Sequence, residues 1–181
     1  MVLPREFYNR PTSRVARDLL GKHLVRRDER GKTRAVLITE VEAYDGFRDR
    51  ASHARFGPTP RNAVMFGPPG QWYVYLCYGV HWLLNVVTRE EGYPAAVLIR
   101  GAGDHDGPGK LTKALGIDSR QNLTPAFIAG QLWVEDRGII IRSRDRMAGP
   151  RVGVAYAGPV WAAKPWRFRL ADPDAWARDG E

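Results

Sequence analysis

Apolar side chains alternate with a period of two through WYVYLCY, residues 72–78. Trp72, Val74, Leu76 and Tyr78 fall on one side of an extended chain, with Tyr73, Tyr75 and Cys77 on the other. Both sides are apolar, which predicts a strand covered on both faces. Gly79 turns the chain and HWLLNVVT, 81–88, continues it as a hairpin with Tyr78 near the tip. The same patterning predicts strands at HLVRR (23–27) and TRAVLITEVEAY (33–44), joined by DERGK, and at YPAAVLIRG, ending in Arg100. QLWVEDR, GIIIRSR, RVGVAYAG and WRFRL are further strand candidates. A helical stripe of Val15, Leu19 and Leu20 marks TSRVARDLLGK as a helix, with Thr12 or Ser13 as its cap and Gly21 as its stop; LTKALGI forms another, ending near Gly116. Phe47 to Gly70 and Gly101 to Lys110 read as glycine-rich loops, and a loop as long as the first is usually functional. Several strands with only two or three short helices predict an α+β fold with a largely antiparallel sheet.

At 181 residues and 44% hydrophobic, the chain suffices for one compact core, so a single domain over 1–181 is expected. Lys and Arg number 28 against 20 Asp and Glu, a formal charge of +8, which favours polyanionic partners such as nucleic acid. No apolar run reaches the roughly 18 residues of a spanning helix, and MVLPREFYNRP lacks the apolar block of a signal peptide. An intracellular protein of the cytoplasm or nucleoid, without a membrane partner, is expected. The lone Cys77 excludes an intramolecular disulfide and a multi-thiolate zinc site, and its apolar run predicts a buried thiol. His23, His53, His81 and His105 have no metal-ligand spacing, so neither metal nor cofactor is expected.

Glu40, Glu42 and Tyr44 project to one side of their strand just before the Asp45-Gly46 turn. Two carboxylates on one side raise the pKa of at least one, which makes them candidates for acid/base work; the alternative is a pair of solvated surface charges. His53, in RASHARFG, can meet a ligand or solvent. GPGK, 107–110, is not a triphosphate loop, because Asp104 and Leu111 stand where glycine and Ser or Thr would be needed. Its glycines and Lys110 at a helix start still suit a single phosphate, or form an ordinary turn. Basic loops, aromatics and a carboxylate together fit enzymes that act on an extruded base.

TEVEAYDG, ASHAR with TPRN, MFGPPGQWYVYLCYG with Asn85, AVLIR, GPGKLTKALGI, and RVGVAYAG followed by KPWRF occur in one order from about Phe7 to Leu170. In that order they resemble the alkyladenine (methylpurine) DNA glycosylases. The resemblance implies a curved, partly open barrel-like sheet flanked by short helices, and a monofunctional hydrolase that releases a damaged purine from double-stranded DNA. By it Glu42 is the base that activates water, and Arg100 helps to hold that water or the adjacent phosphate. Tyr44 and Tyr75 sandwich the flipped base, His53 touches its edge, and Asn85 stands at the pocket wall. Tyr78 is the wedge left in the duplex, and Thr59 and Lys110 meet DNA phosphates. Trp72, Tyr73 and Trp82 are left to the core. No cofactor is implied, and a monomer is expected. The chain departs from the family in its short GAGDHD connection between Arg100 and Gly107, and in Val80 and His81 after the wedge, which bear on lesion range and on the grip on the opposite strand. Two rivals stand beside this reading: a nucleic-acid-binding module without catalysis, and a formyltransferase-like domain that binds tRNA.

Overall fold

The computed structural model describes residues 1–177. Short helices α1 (Arg5–Tyr8) and α2 (Thr12–Leu19) lead into strands β1 (His23–Arg27) and β2 (Thr33–Asp45). After the long loop come β3 (Trp72–Cys77), β4 (His81–Val87), β5 (Ala95–Ala102) and the two-residue β6 (His105–Asp106). Helix α3 (Pro108–Leu115), β7 (Leu132–Glu135), β8 (Arg146–Gly149), α4 (Pro159–Ala162), β9 (Arg167–Leu170) and α5 (Asp174–Ala177) follow. The strands form one open antiparallel sheet in the order β3-β4-β5-β2-β1-β7, with β6 beside β5 and β9, carrying β8, beside β2. The expected α+β class and antiparallel sheet are thus present, with more short helices than the pattern predicts.

Strand β2 serves two neighbourhoods. Its first half pairs with β1; its second pairs with β5 and β9 after an irregularity around Glu40, which lies opposite Gly101. A side chain on Gly101 would crowd Thr39 and Glu40, so glycine permits this close register. One face of the sheet carries Val41, Trp72, Val74, Leu84, Val86, Val97 and Ile99 into the main core under α2 and α3. Leu19 and Val15 of α2 and Leu111 and Leu115 of α3 close that core.

Several expectations are corrected. Neither Thr12 nor Ser13 caps α2: Pro11 precedes it, and the buried Thr12 hydroxyl instead donates to Asp45 at 3.1 Å. Among the described residues GIIIRSR pairs with no strand; Ile141 packs on Gly21 while Ile140 stays 79% exposed. RVGVAYAG is a turn and a 3-10 turn at Ala155–Ala157, because the buried Arg151 is tied to Asp49 rather than to a strand neighbour. Lys110 lies inside α3, not in a loop, since Pro108 starts the helix.

Candidate active site

The face of β3, β4, β5 and β2 turned away from the main core forms the floor of a cavity of about 200 Å³. Antiparallel register puts Tyr73, Asn85, Leu98 and Glu42 in one row across the four strands, with Tyr75, Leu83, Ala96, Tyr44 and Arg100 flanking it on the same face. Ala51 and His53 of the long loop and Met65 of its 3-10 helix, Ala63–Phe66, form one wall, and Val152, Gly153, Val154 and Tyr156 another. The period of two that puts Trp72 in the core therefore puts Tyr73 and Tyr75 in the cavity. Tyr73 is buried as expected, but on the cavity side, and its hydroxyl has no partner among the described residues. Trp72 is fully buried, its indole N–H donating to the Leu132 carbonyl at 3.0 Å, and Trp82 packs against the main core. Cys77 is half-buried at the cavity edge rather than fully buried. The far end of the hairpin is not covered on both faces: Leu76 is 38% and Tyr78 95% exposed.

Glu42 has no exposed surface. One carboxylate oxygen accepts the Val152 backbone N–H at 2.7 Å and lies 3.5 Å from Arg100 Nε; the other accepts the Tyr44 hydroxyl at 2.8 Å. Burial raises its pKa above the ordinary carboxylate value, against the opposing pull of Arg100, the Val152 N–H and the Tyr44 hydroxyl, and with a smaller upward push from Glu40. A carboxylate whose proton affinity is raised in this way is a stronger base than a solvated one. Arg100 also meets Glu40 at 3.1 Å, and Arg167 approaches Glu40 at 3.4 Å. Glu40, Glu42 and Tyr44 thus do converge on one side, but Glu40 is held in an ion-pair network and Glu42 faces the cavity.

Burial and the neighbouring Glu42 push the Tyr44 pKa far up, which keeps its hydroxyl a donor. Burial lifts Tyr75 likewise and takes Tyr73 up to about 12. The His53 ring stands edge-on to Tyr75 at 5.5 Å between centroids, at the exposed rim of the cavity. Partial burial and then Arg61 lower the His53 pKa, so near neutrality it offers one donor and one acceptor nitrogen. Asn85 is buried, its amide donating to the Tyr73 carbonyl at 3.1 Å, which fixes the wall it forms.

Tyr78 has φ +50° and Gly79 φ +68°, with the Val80 N–H returning to the Cys77 carbonyl at 3.1 Å. A left-handed tyrosine is strained, and here the strain thrusts the ring into solvent beside the cavity mouth. Thr59 is exposed; its N–H donates to Asn62, whose buried side chain donates to the carbonyls of His53 at 2.9 Å and Gly57 at 3.2 Å and so shapes the loop. Lys110 is exposed in the first turn of α3. A side chain on Gly109 would strike His81, so glycine brings that turn against the hairpin tip.

Sequence reasoning misses Val152, Asn62 and the Asp49–Arg151 pair. Val152 acts through its backbone, which no residue type encodes; Asn62, within TPRN, was legible as a loop-shaping residue. Arg151 and Asp49, both with fully buried side chains, form two contacts at 2.6 and 2.8 Å. Arg151 also donates to the Ala43 carbonyl at 2.8 Å and lies 4.7 Å from the centre of the Tyr44 ring.

The family profile of methylpurine-DNA glycosylases matches residues 6–106 and 103–174. A protein of one strain of Anaeromyxobacter dehalogenans, provisionally named a 3-methyladenine DNA glycosylase, is 52% identical over 94% of this chain and 82% of its own. One of Methanocella arvoryzae with the same provisional name is 48% identical, over 92% of this chain and 91% of its own. A DNA-3-methyladenine glycosylase of Arabidopsis thaliana is 41% identical over 94% of this chain and 72% of its own.

Proposed function

The chain belongs to the methylpurine-DNA glycosylase family, and from that premise we propose that it extrudes a damaged purine from duplex DNA and hydrolyses its N-glycosidic bond with water activated by Glu42. The observation that carries this reading is a buried carboxylate of raised pKa on the floor of a cavity lined by tyrosines, with a fully presented tyrosine at its mouth. Breaking the bond develops positive charge on the sugar, which Glu42 stabilises while it accepts a proton from the attacking water. The Val152 N–H, Tyr44 and Arg100 hold its oxygens in place. Tyr44 and Tyr75 hold the base by their faces, favouring electron-poor alkylated purines, hypoxanthine or ethenoadenine. His53 reads the base edge, and Asn85, anchored to the Tyr73 carbonyl, sets a wall against an exocyclic amine. The unpartnered Tyr73 hydroxyl offers a further donor to the base. In this reading water is the nucleophile; among the described residues the ionisable groups lining the cavity are a carboxylate, a guanidinium, an imidazole, phenols and a thiol, and the amine that a Schiff-base lyase would use is not among them.

The test is to incubate the protein with duplexes carrying one hypoxanthine, ethenoadenine or methylpurine, and to reveal abasic sites with alkali. Cleavage at the lesion is expected, and in Tyr78→Ser it should fall by roughly ten- to a hundredfold, because the gap left by the base is no longer filled. Normal duplex kinetics in that variant would assign the wedge elsewhere. Tight DNA binding without cleavage on any lesion would leave a binding module in place of an enzyme.

In this reading Thr59, in the groove beside His53 and Tyr156, and Lys110, in the helix turn packed against His81, take DNA phosphates. Lys110→Ala should weaken duplex binding about equally for all sequences and reduce the slope of log affinity against log salt by roughly one unit. An unchanged slope would make Lys110 an ordinary solvated charge.

A further inference from the structure

Beyond Tyr156, on the outer side of the cavity wall, lies a second, open cleft lined by Phe47, Phe56, Trp161 and three arginines, Arg48, Arg50 and Arg55. Among the described residues, those lining the cleft and the shallow groove joining it to the mouth at His53 and Tyr156 include no carboxylate. Phe56 is 85% and Phe47 52% exposed, which is far more apolar ring than a solvated loop requires. Phe56 is backed on one face by the Arg55 guanidinium, 4.3 Å from its centroid, and Arg55 is steadied by the Arg50 carbonyl at 3.0 Å. Phe47 is propped from behind by Phe66 and Tyr93, with centroids at 6.0 and 6.3 Å. Each ring is therefore held, with surface to spare.

A duplex presents phosphates to such a ledge but keeps its base faces stacked on one another; only an unpaired strand can offer a face to Phe56. Cations tracking a backbone beside aromatic platforms form the pattern that takes single-stranded nucleic acid. The geometry points to a second subsite, formed by Phe47, Phe56, Arg48, Arg50 and Arg55, that binds the unpaired nucleotides of a single strand running on from the cavity mouth. The proposal rests on reading the chain as a DNA enzyme, and it extends the substrate to damaged bases in single-stranded or locally melted DNA.

Binding separates this proposal from the glycosylase reading. A fluorescein-labelled oligodeoxyadenylate, the same strand with abasic residues in place of bases, and the undamaged duplex are titrated by anisotropy against the wild type and Phe56→Ala. The wild type should prefer the base-bearing strand to the abasic one. Phe56→Ala should lose that preference and weaken by about fivefold or more on the single strand, with duplex affinity kept within about twofold. Arg48→Ala with Arg50→Ala should lower the single-strand salt slope by roughly 0.7 for each phosphate lost. Equal wild-type affinity for base-bearing and abasic strands, or a Phe56→Ala loss equal on both DNA forms or absent from both, overturns the proposal. Base release from a lesion duplex, measured in the same variant, should stay at the wild-type rate. If the wild type releases no base while the Phe56-dependent preference persists, the subsite stands and the glycosylase reading falls.

Discussion

Glu42→Gln should reduce base release by at least about a hundredfold while DNA binding is kept or tightened. The amide replaces the carboxylate almost atom for atom. It still accepts the Val152 N–H, can donate to the Tyr44 oxygen, and leaves Arg100 paired with Glu40 at 3.1 Å. What disappears is the capacity to take a proton and the negative charge facing the scissile sugar and the DNA phosphates. In the wild type, kcat/KM should fall on the acid side with a midpoint above the ordinary glutamate value of 4.5, since burial raises the Glu42 pKa and the protonated acid is no base. Stability should move in the opposite sense to activity. The folded protein holds the Glu42 proton to higher pH than the unfolded chain does, so this group loses stability as pH rises through the interval between the two pKa values. Glu42→Gln is therefore expected to melt higher than wild type at neutral pH, with the difference closing below the ordinary glutamate range. Near-normal base release in the variant would move the base to another residue; a melting difference that persisted at low pH would mean that packing, not ionisation, accounts for it.

The parts of the site that lie on regular strands are legible in the sequence because a period of two decides them. Glu42 and Tyr44 must share a side, Tyr73 and Tyr75 must oppose Trp72 and Val74, and the hairpin must lift Tyr78 to its end. Those statements need no knowledge of the neighbours. Which side becomes cavity and which becomes core is set by what packs there, so the alternation alone leaves Tyr73 assigned to the core. RVGVAYAG shows the opposite limit. Its small and branched residues suit a strand, yet Arg151 finds its counter-ion in Asp49, 102 positions away, and that pair pins the segment as a turn over Glu42. GIIIRSR fails for want of a partner strand, whereas RMAG, with almost no apolar signal, becomes a strand because β9 offers it an edge. The start of α3 was readable: proline just inside the first turn, after Gly107, is a helix-start signal that glycine-rich composition obscures.

Asp49→Asn should destabilise the fold by roughly 3–5 kcal/mol, because it leaves the Arg151 charge buried without its partner. For a chain of this length that lowers the melting temperature by about 10 °C. The loss follows from burial, since both side chains have no exposed surface and Asp49 makes two charged contacts to Arg151 at 2.6 and 2.8 Å. Arg151 is also joined to the candidate site. It lies behind the Tyr44 ring, it donates to the carbonyl of Ala43, and its chain neighbour Val152 supplies the N–H on Glu42. Loosening Arg151 should lengthen that last contact. Because the Val152 N–H holds the Glu42 pKa down, its loss should carry the acid limb of base release to higher pH in the molecules that remain folded. The double variant Asp49→Asn with Arg151→Met separates the two effects. Replacing a buried ion pair by neutral side chains of similar volume is often close to neutral for stability, so this variant should regain much of the lost melting temperature. It should not regain the pH profile, since nothing then ties the turn to Ala43 and Asp49. A double variant with both wild-type stability and the wild-type acid limb would reduce the pair to a packing element with no part in positioning Glu42.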